Sequence, residues 1–154
     1  MEKVYFEDLA EGSVHWGREC IVDKNEMFEY NRKNDPWPFH VDEEAAAQSA
    51  FGGLIASGGY TITLMYRSTH TIYNRPEAPW AFLGGSEWHV QFHLPVRPGD
   101  RLRSKITILS KRPSSKPGRG VGKWKVEMLN QKDQVVFALE ECTVFLAKRP
   151  ERTK

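Results

Sequence analysis

A single long helical stretch followed only by strand-like segments is the feature that most restricts how this chain can fold. Between Ser57 and Tyr73, the residues Tyr60, Leu64, Met65, Ser68 and Ile72 recur at three- and four-residue intervals, the spacing of one helix face. At 1.5 Å per residue such a helix runs roughly 25 Å, the length of a small domain. Small residues (Ala56, Ser57, Gly58, Gly59) crowd its start, and Pro76 and Pro79 end the region. Downstream, AFLGGSEWHVQF, RLRSKITILSK, GVGKWKVEML and QVVFALEECTVFLA are rich in β-branched and aromatic residues. RPGD, KRPSSKPGRG and NQKDQ separate them as turns or loops. Upstream, SVHWGRECIV (residues 13–22) reads as another strand. One strand, helices, then a meander of strands predicts an α+β fold with a helix packed on an antiparallel sheet. With 154 residues and no repeat or linker, the chain reads as one domain over residues 1–150 and a short charged tail at 151–154.

Capping signals fill the interval before the long helix. Asp23 followed three residues later by Glu26, then Met27, Phe28 and Tyr30, is a capping-box pattern that starts a short helix. Pro36 and Pro38 stop it, and each pushes its predecessor, Asp35 or Trp37, out of the helical region. Asp42 is placed to cap a brief helix from Glu43 to Gln48, which the run FGG at 51–53 breaks.

Composition, 40% hydrophobic and 27% charged, is that of an ordinary globular protein. No apolar run approaches the roughly 18–20 residues of a membrane span. The acidic, mixed N-terminus MEKVYFEDLAEG is expected to be neither a signal nor a transit peptide. Cys20 and Cys142 stand far apart in apolar stretches, so buried thiols and a reducing, cytoplasmic setting are expected. Residues 97–125 carry ten Lys/Arg against one acid, Asp100. Such a segment can recruit an anion. Without a nucleic-acid-binding motif, a small phosphorylated ligand suits it better than nucleic acid.

Chemistry concentrates in NDPWPFHVDEEAA, residues 34–46. An acid, Asp35, precedes a histidine, His40, by five residues, with two prolines stiffening the backbone between them. A carboxylate and an imidazole that can share one substrate are what general acid–base chemistry needs near neutral pH. Taken alone, the pair admits a structural reading as well, with Asp35 capping a turn and His40 the next helix.

Four pieces together carry a family resemblance: YFEDLAEG, DPWPFH with VDEEAA, FGGLIASGGYT, and FHLPVRPGD. In order from residue 5 to 100, they resemble the MaoC-like hydratase/dehydratase family of the hotdog fold, which includes the (R)-specific enoyl-CoA hydratases. The resemblance implies an antiparallel sheet wrapped around one long helix, paired into a homodimer. It implies reversible addition of water across the 2,3 double bond of an enoyl thioester, carried by coenzyme A or an acyl carrier, with no separate cofactor. Asp35 and His40 match the catalytic dyad, and Gly58, preceded by Ser57, matches the glycine whose amide binds the thioester carbonyl. One departure is Trp37, where the (R)-hydratase pattern has Asn, and Ser57 stands where many relatives have His. Trp37 and Phe39 are expected to border the acyl pocket. Lys111, Arg112, Lys116 and Arg119 are candidates for the coenzyme A phosphates, a solvated loop being the alternative.

Other residues are expected to be structural. His89 and His93 would share a strand face but lack a third metal ligand of matching spacing, so no metal is expected. His15 and His70 are isolated, and Trp80, Trp88 and Trp124 suit a core or a subunit interface. A small sheet around one helix leaves strand edges that a second copy can cover. A hotdog thioesterase and a non-catalytic acyl-CoA-binding protein are the competing functions, the second kept open by Trp37.

Overall fold

A computed structural model describes residues 2–151, so most of the expected charged tail lies outside the described residues. Six strands form one antiparallel sheet in the order β1-β4-β5-β6-β3, with β2 also on β4. The strands are β1 (Val14–Trp16), β2 (Cys20–Ile21), β3 (Phe82–Phe92), β4 (Arg101–Pro113), β5 (Arg119–Leu129) and β6 (Val135–Ala147). Four helices, α1 (Lys24–Asn34), α2 (Pro38–Val41), α3 (Glu43–Gln48) and α4 (Gly58–Tyr73), occupy the interval between β2 and β3.

The long helix forms where its periodicity predicts. Ser57 caps it, accepting the Tyr60 N–H at 3.2 Å, and Tyr60, Leu64, Met65, Ser68 and Ile72 are all buried. Opposite them the sheet presents Leu102, Ile106 and Ile108 of β4, Trp124, Val126 and Met128 of β5, and Phe137 and Leu139 of β6. Each large apolar side chain buried in this way contributes about 1.5–3 kcal/mol. The sheet wrapped on a central helix is the α+β hotdog architecture.

The stretch 13–22 forms two short strands instead of one. Between them the backbone leaves β4 to bond the helix: Arg18 N–H donates to Thr71 Oγ1 at 2.8 Å, and Ser68 Oγ donates to Arg18 O at 2.7 Å. Gly17 allows this approach, because a Cβ there would collide with Ser104 and Ser68. A second difference is α2. Pro36 ends a helix, but Pro38 starts one as its first residue, where a missing N–H costs nothing. The remaining caps form as predicted, Asp23 accepting from Glu26 N–H and Asp42 from Ala45 N–H. Glu26 does not close the capping box. Its carboxylate instead accepts from Tyr60 Oη at 2.7 Å and Arg67 Nη1 at 2.6 Å, clasping α1 to α4.

On β3, a register shift between His89 and Val90 interrupts the alternation. His93, beyond the strand end, pairs with Glu140 at 3.1 Å. No helix among the described residues is long and apolar enough to cross a membrane. Both cysteines are free thiols.

Candidate active site

The site is assembled where the C-terminus of α1, the short α2, and the N-terminus of α4 meet. Asp35 is the C-cap of α1, its N–H bonded to Asn31 O at 2.9 Å. His40 rides on α2, its N–H bonded to Trp37 O at 2.8 Å. The two side chains converge, with His40 Nε2 3.3 Å from Asp35 Oδ2. The imidazole is 7% exposed and the carboxylate 40%, so the pair is closed on the histidine side and open on the acid side.

The other ring nitrogen fixes the protonation pattern. His40 Nδ1 lies 2.8 Å from Ile55 O. A carbonyl only accepts, so Nδ1 carries the hydrogen, and in the neutral ring Nε2 keeps its lone pair. Nε2 and the Asp35 carboxylate are then two acceptors facing one point. A water donating one hydrogen to each satisfies both, which makes this the natural seat of a water to be deprotonated.

Gly58 opens α4 beside His40, and both line a cleft of about 340 Å³ together with Phe39, Phe51, Thr61 and Phe92. Ser57 N–H is taken by Asn31 Oδ1 and Tyr60 N–H by Ser57 Oγ, both at 3.2 Å. The Gly58 and Gly59 N–H groups, also in the first turn, have no protein acceptor among the described residues. Free amides at the positive end of a helix suit a developing oxyanion. A Cβ on Gly58 would stand 2.6 Å from Phe92 Cζ, so a larger residue there requires the Phe92 ring to move.

Phe39 lines the cleft, whereas Trp37 is not among its lining residues. The Phe39 ring meets His40 edge-on at 4.7 Å and Phe51 at 5.2 Å. Trp37 lies almost parallel to Phe39 at 6.5 Å and is 61% exposed. The larger apolar cavity, about 440 Å³, lies toward the other end of α4 against Tyr73, Trp88 and Cys142. Of its lining residues, His70 faces the Asn74 amide through Nδ1, and burial pushes the Cys142 thiol up to about 12, far from a reactive thiolate.

The four candidate phosphate-binding cations are not brought to the dyad within one chain. They sit on the β4–β5 hairpin, at the end of the sheet where Gly120 pairs with Leu146 and Leu146 with Phe82. The dyad is near Phe92, at the end where Met128 pairs with Phe137 and Phe137 with Phe92. Eight residues of β5 separate these levels, about 26 Å. Lys111 Nζ donates to Phe6 O at 2.7 Å, tethering the N-terminal segment. Arg119 stacks on Phe145 at 4.3 Å, and Arg112 Nη1 donates to the neighbouring Pro113 O at 3.4 Å. Arg112, Lys116 and Arg119 have no carboxylate partner among the described residues.

Two contributors escaped the sequence reading. Ile55 supplies the carbonyl that orients His40, a backbone role without a sequence signal. Asn31 does have one: with Met27 it is a buried residue of α1, a polar side chain four residues along an apolar stripe. No cluster of three or more potential metal ligands occurs among the described residues.

Known proteins share this framework. The MaoC like domain family model matches residues 8–129. The MaoC-like dehydratase of Rhodospirillum rubrum is 32% identical, with a TM-score of 0.84 over 96% of this chain and 99% of its own. The R-hydratase PhaJ1 of Pseudomonas aeruginosa superposes with a TM-score of 0.69 at 20% identity, over 96% and 88%. A Mycobacterium tuberculosis protein described as having a double hotdog fold superposes with a TM-score of 0.74 at 20% identity, over 99% of this chain and 46% of its own. With the family model spanning most of the chain and the sheet wrapped on its central helix, this protein belongs to the MaoC-like hydratase/dehydratase family of the hotdog fold.

Proposed function

We propose that this protein is an enoyl-thioester hydratase, working reversibly as a 3-hydroxyacyl-thioester dehydratase. The observation that carries this reading is the Asp35–His40 pair, 3.3 Å apart, with the His40 lone pair directed at the carboxylate by the Ile55 carbonyl. Family membership and the R-hydratase likeness support the same reaction class.

The steps follow from the geometry. A water held between Nε2 and the carboxylate loses a proton to His40 as its oxygen bonds C3 of the enoyl group. The π electrons move toward C2 and the thioester carbonyl, and the negative charge on that oxygen is met by the Gly58 and Gly59 N–H groups. The enolate collapses when the dyad returns a proton to C2, giving the 3-hydroxyacyl thioester. Phe39 and Phe51 border the acyl group, whose α,β-unsaturated end must reach the His40 side of the cleft.

The carrier is coenzyme A, bound across a homodimer in the cytoplasm. Among the described residues β3 pairs only with β6, and Leu83, Trp88 and Phe92 on it are exposed, as expected of an edge that a second copy covers. A two-fold pairing of two β3 edges reverses the partner sheet end for end. It brings the partner's basic hairpin to the level of this chain's dyad, three to four strand spacings away, about 14–19 Å. A pantetheine arm, similar in reach to an extended peptide of four or five residues, covers roughly 15 Å. Arg112, Lys116 and Arg119 then take the nucleotide phosphates of the substrate held by the other chain's dyad.

The competing thioesterase reading is separated by following the double bond and free thiol together. Loss of the enoyl chromophore without thiol release, abolished in both Asp35→Asn and His40→Ala, is the expected result. Thiol release that is unchanged in both variants would replace hydration with hydrolysis.

A further inference from the structure

We propose that Asn31 is the positioning residue that holds the acid–base pair and the oxyanion amides in one fixed relation. The inference deepens the hydratase reading and rests on it. Asn31 is fully buried. Its Nδ2 faces two acceptors, His40 O at 3.0 Å and Ile55 O at 3.4 Å, and its Oδ1 accepts the Ser57 N–H at 3.2 Å. Its backbone carbonyl accepts the Asp35 N–H at 2.9 Å. One residue therefore touches all four parts of the site: the acid, the base, the carbonyl that orients the base, and the turn presenting Gly58.

These contacts leave the amide a single orientation. Two carbonyls can only accept and one N–H can only donate, so Nδ2 and Oδ1 cannot exchange places. The Ile55 carbonyl serves His40 Nδ1–H with one lone pair and Asn31 with the other, so Asn31 steadies the group that steadies the imidazole. The same contacts tie the C-terminal part of α1 to α2 and to the turn that starts α4. Hydration needs the water-activating nitrogen and the oxyanion donors at a set separation, because both act on one planar enoyl group. Asn31 contacts no reacting atom, and its effect is on the chemical step.

The test uses the full chain with Asn31→Leu, close in volume but unable to make any of the three side-chain bonds. Asn31→Asp is the second variant, keeping the shape and the acceptor for Ser57 while placing an oxygen against the two carbonyls. Each is assayed on a trans-2-enoyl-CoA after folding is verified by circular dichroism. The expected result is kcat lowered about ten- to a hundredfold with KM within about threefold. In the His40→Ala background, Asn31→Leu is expected to change the residual rate by less than about twofold, since groups acting as a unit are not additive. Wild-type kcat in either folded variant, or an undiminished loss without His40, would overturn the proposal. A second readout is independent of turnover. Ring nitrogen-15 shifts should show His40 as the single Nδ1–H tautomer in the wild type and as a mixture in Asn31→Leu. A single, unchanged tautomer in that variant would also overturn it. Absence of any His40-dependent hydration by the wild type would count against the hydratase reading, and the tautomer measurement would still decide the role of Asn31.

Discussion

His40 is held by its far edge, so that its near edge is free. The Ile55 carbonyl takes the Nδ1 hydrogen, and Phe39 packs against the ring face, leaving Nε2 directed at Asp35. In the proposed reaction, removing the imidazole removes the base while the surrounding backbone bonds remain. His40→Ala and Asp35→Asn are therefore expected to lower hydration by about 10²–10⁴-fold with the fold kept, checked by initial rates alongside circular dichroism. Gly58 is sensitive for a steric reason. A methyl group there meets Phe92 at 2.6 Å, and because the Phe92 side chain is exposed it can swing away. Gly58→Ala is expected to fold but to lose up to about 10²-fold in kcat/KM, as the ligand is pushed off the amides.

At the level of elements, α1 and α4 are clasped by Glu26, whose carboxyl is held below the usual range first by the Arg67 hydrogen bond and then by that of Tyr60. A carboxyl lowered in the folded state adds stability above its unfolded value, and that stability is lost as pH falls through the folded value. Glu26→Gln is thus expected to lower stability at pH 7 by about 0.5–1 kcal/mol, the side chain being partly exposed. The gap to the wild type should close toward pH 3 in urea titrations, and a constant gap would contradict the clasp. Sequence made α4 legible because five buried positions share one helical face, and it made α3 legible through the Asp42 cap. It hid α2, because proline breaks a helix in its interior and starts one at its first position. It also hid the break at Gly17, since helix α4, far away in sequence, takes the hydrogen bonds that a continuous strand would have used. That Asp35 and His40 stand close together was readable from their short, proline-stiffened spacing. The Ile55 carbonyl was not, because every residue has one.

Across the whole molecule, the basic hairpin and the dyad lie at opposite ends of one sheet, and pairing on β3 is what reunites them in the proposed dimer. Lysines at Leu83 and Trp88 place charge on that edge and are expected to give a monomer by light scattering, with activity on enoyl-CoA lost. Mixed dimers test the crossing more sharply. One chain carries His40→Ala, and the other carries Arg112→Ala, Lys116→Ala and Arg119→Ala. Pairing should restore one complete site and raise activity on enoyl-CoA above either parent, whereas no recovery would keep the hairpin from acting across the interface. The central claim, that Asp35 and His40 add water to an enoyl thioester, is met most directly by one measurement. Pure protein is added to trans-2-enoyl-CoAs of short to medium length, linear and branched, and the enoyl-thioester absorbance is followed with His40→Ala in parallel. A decay that requires His40 and yields the 3-hydroxyacyl thioester is the predicted result. No decay across the whole series by folded, dimeric protein would contradict it.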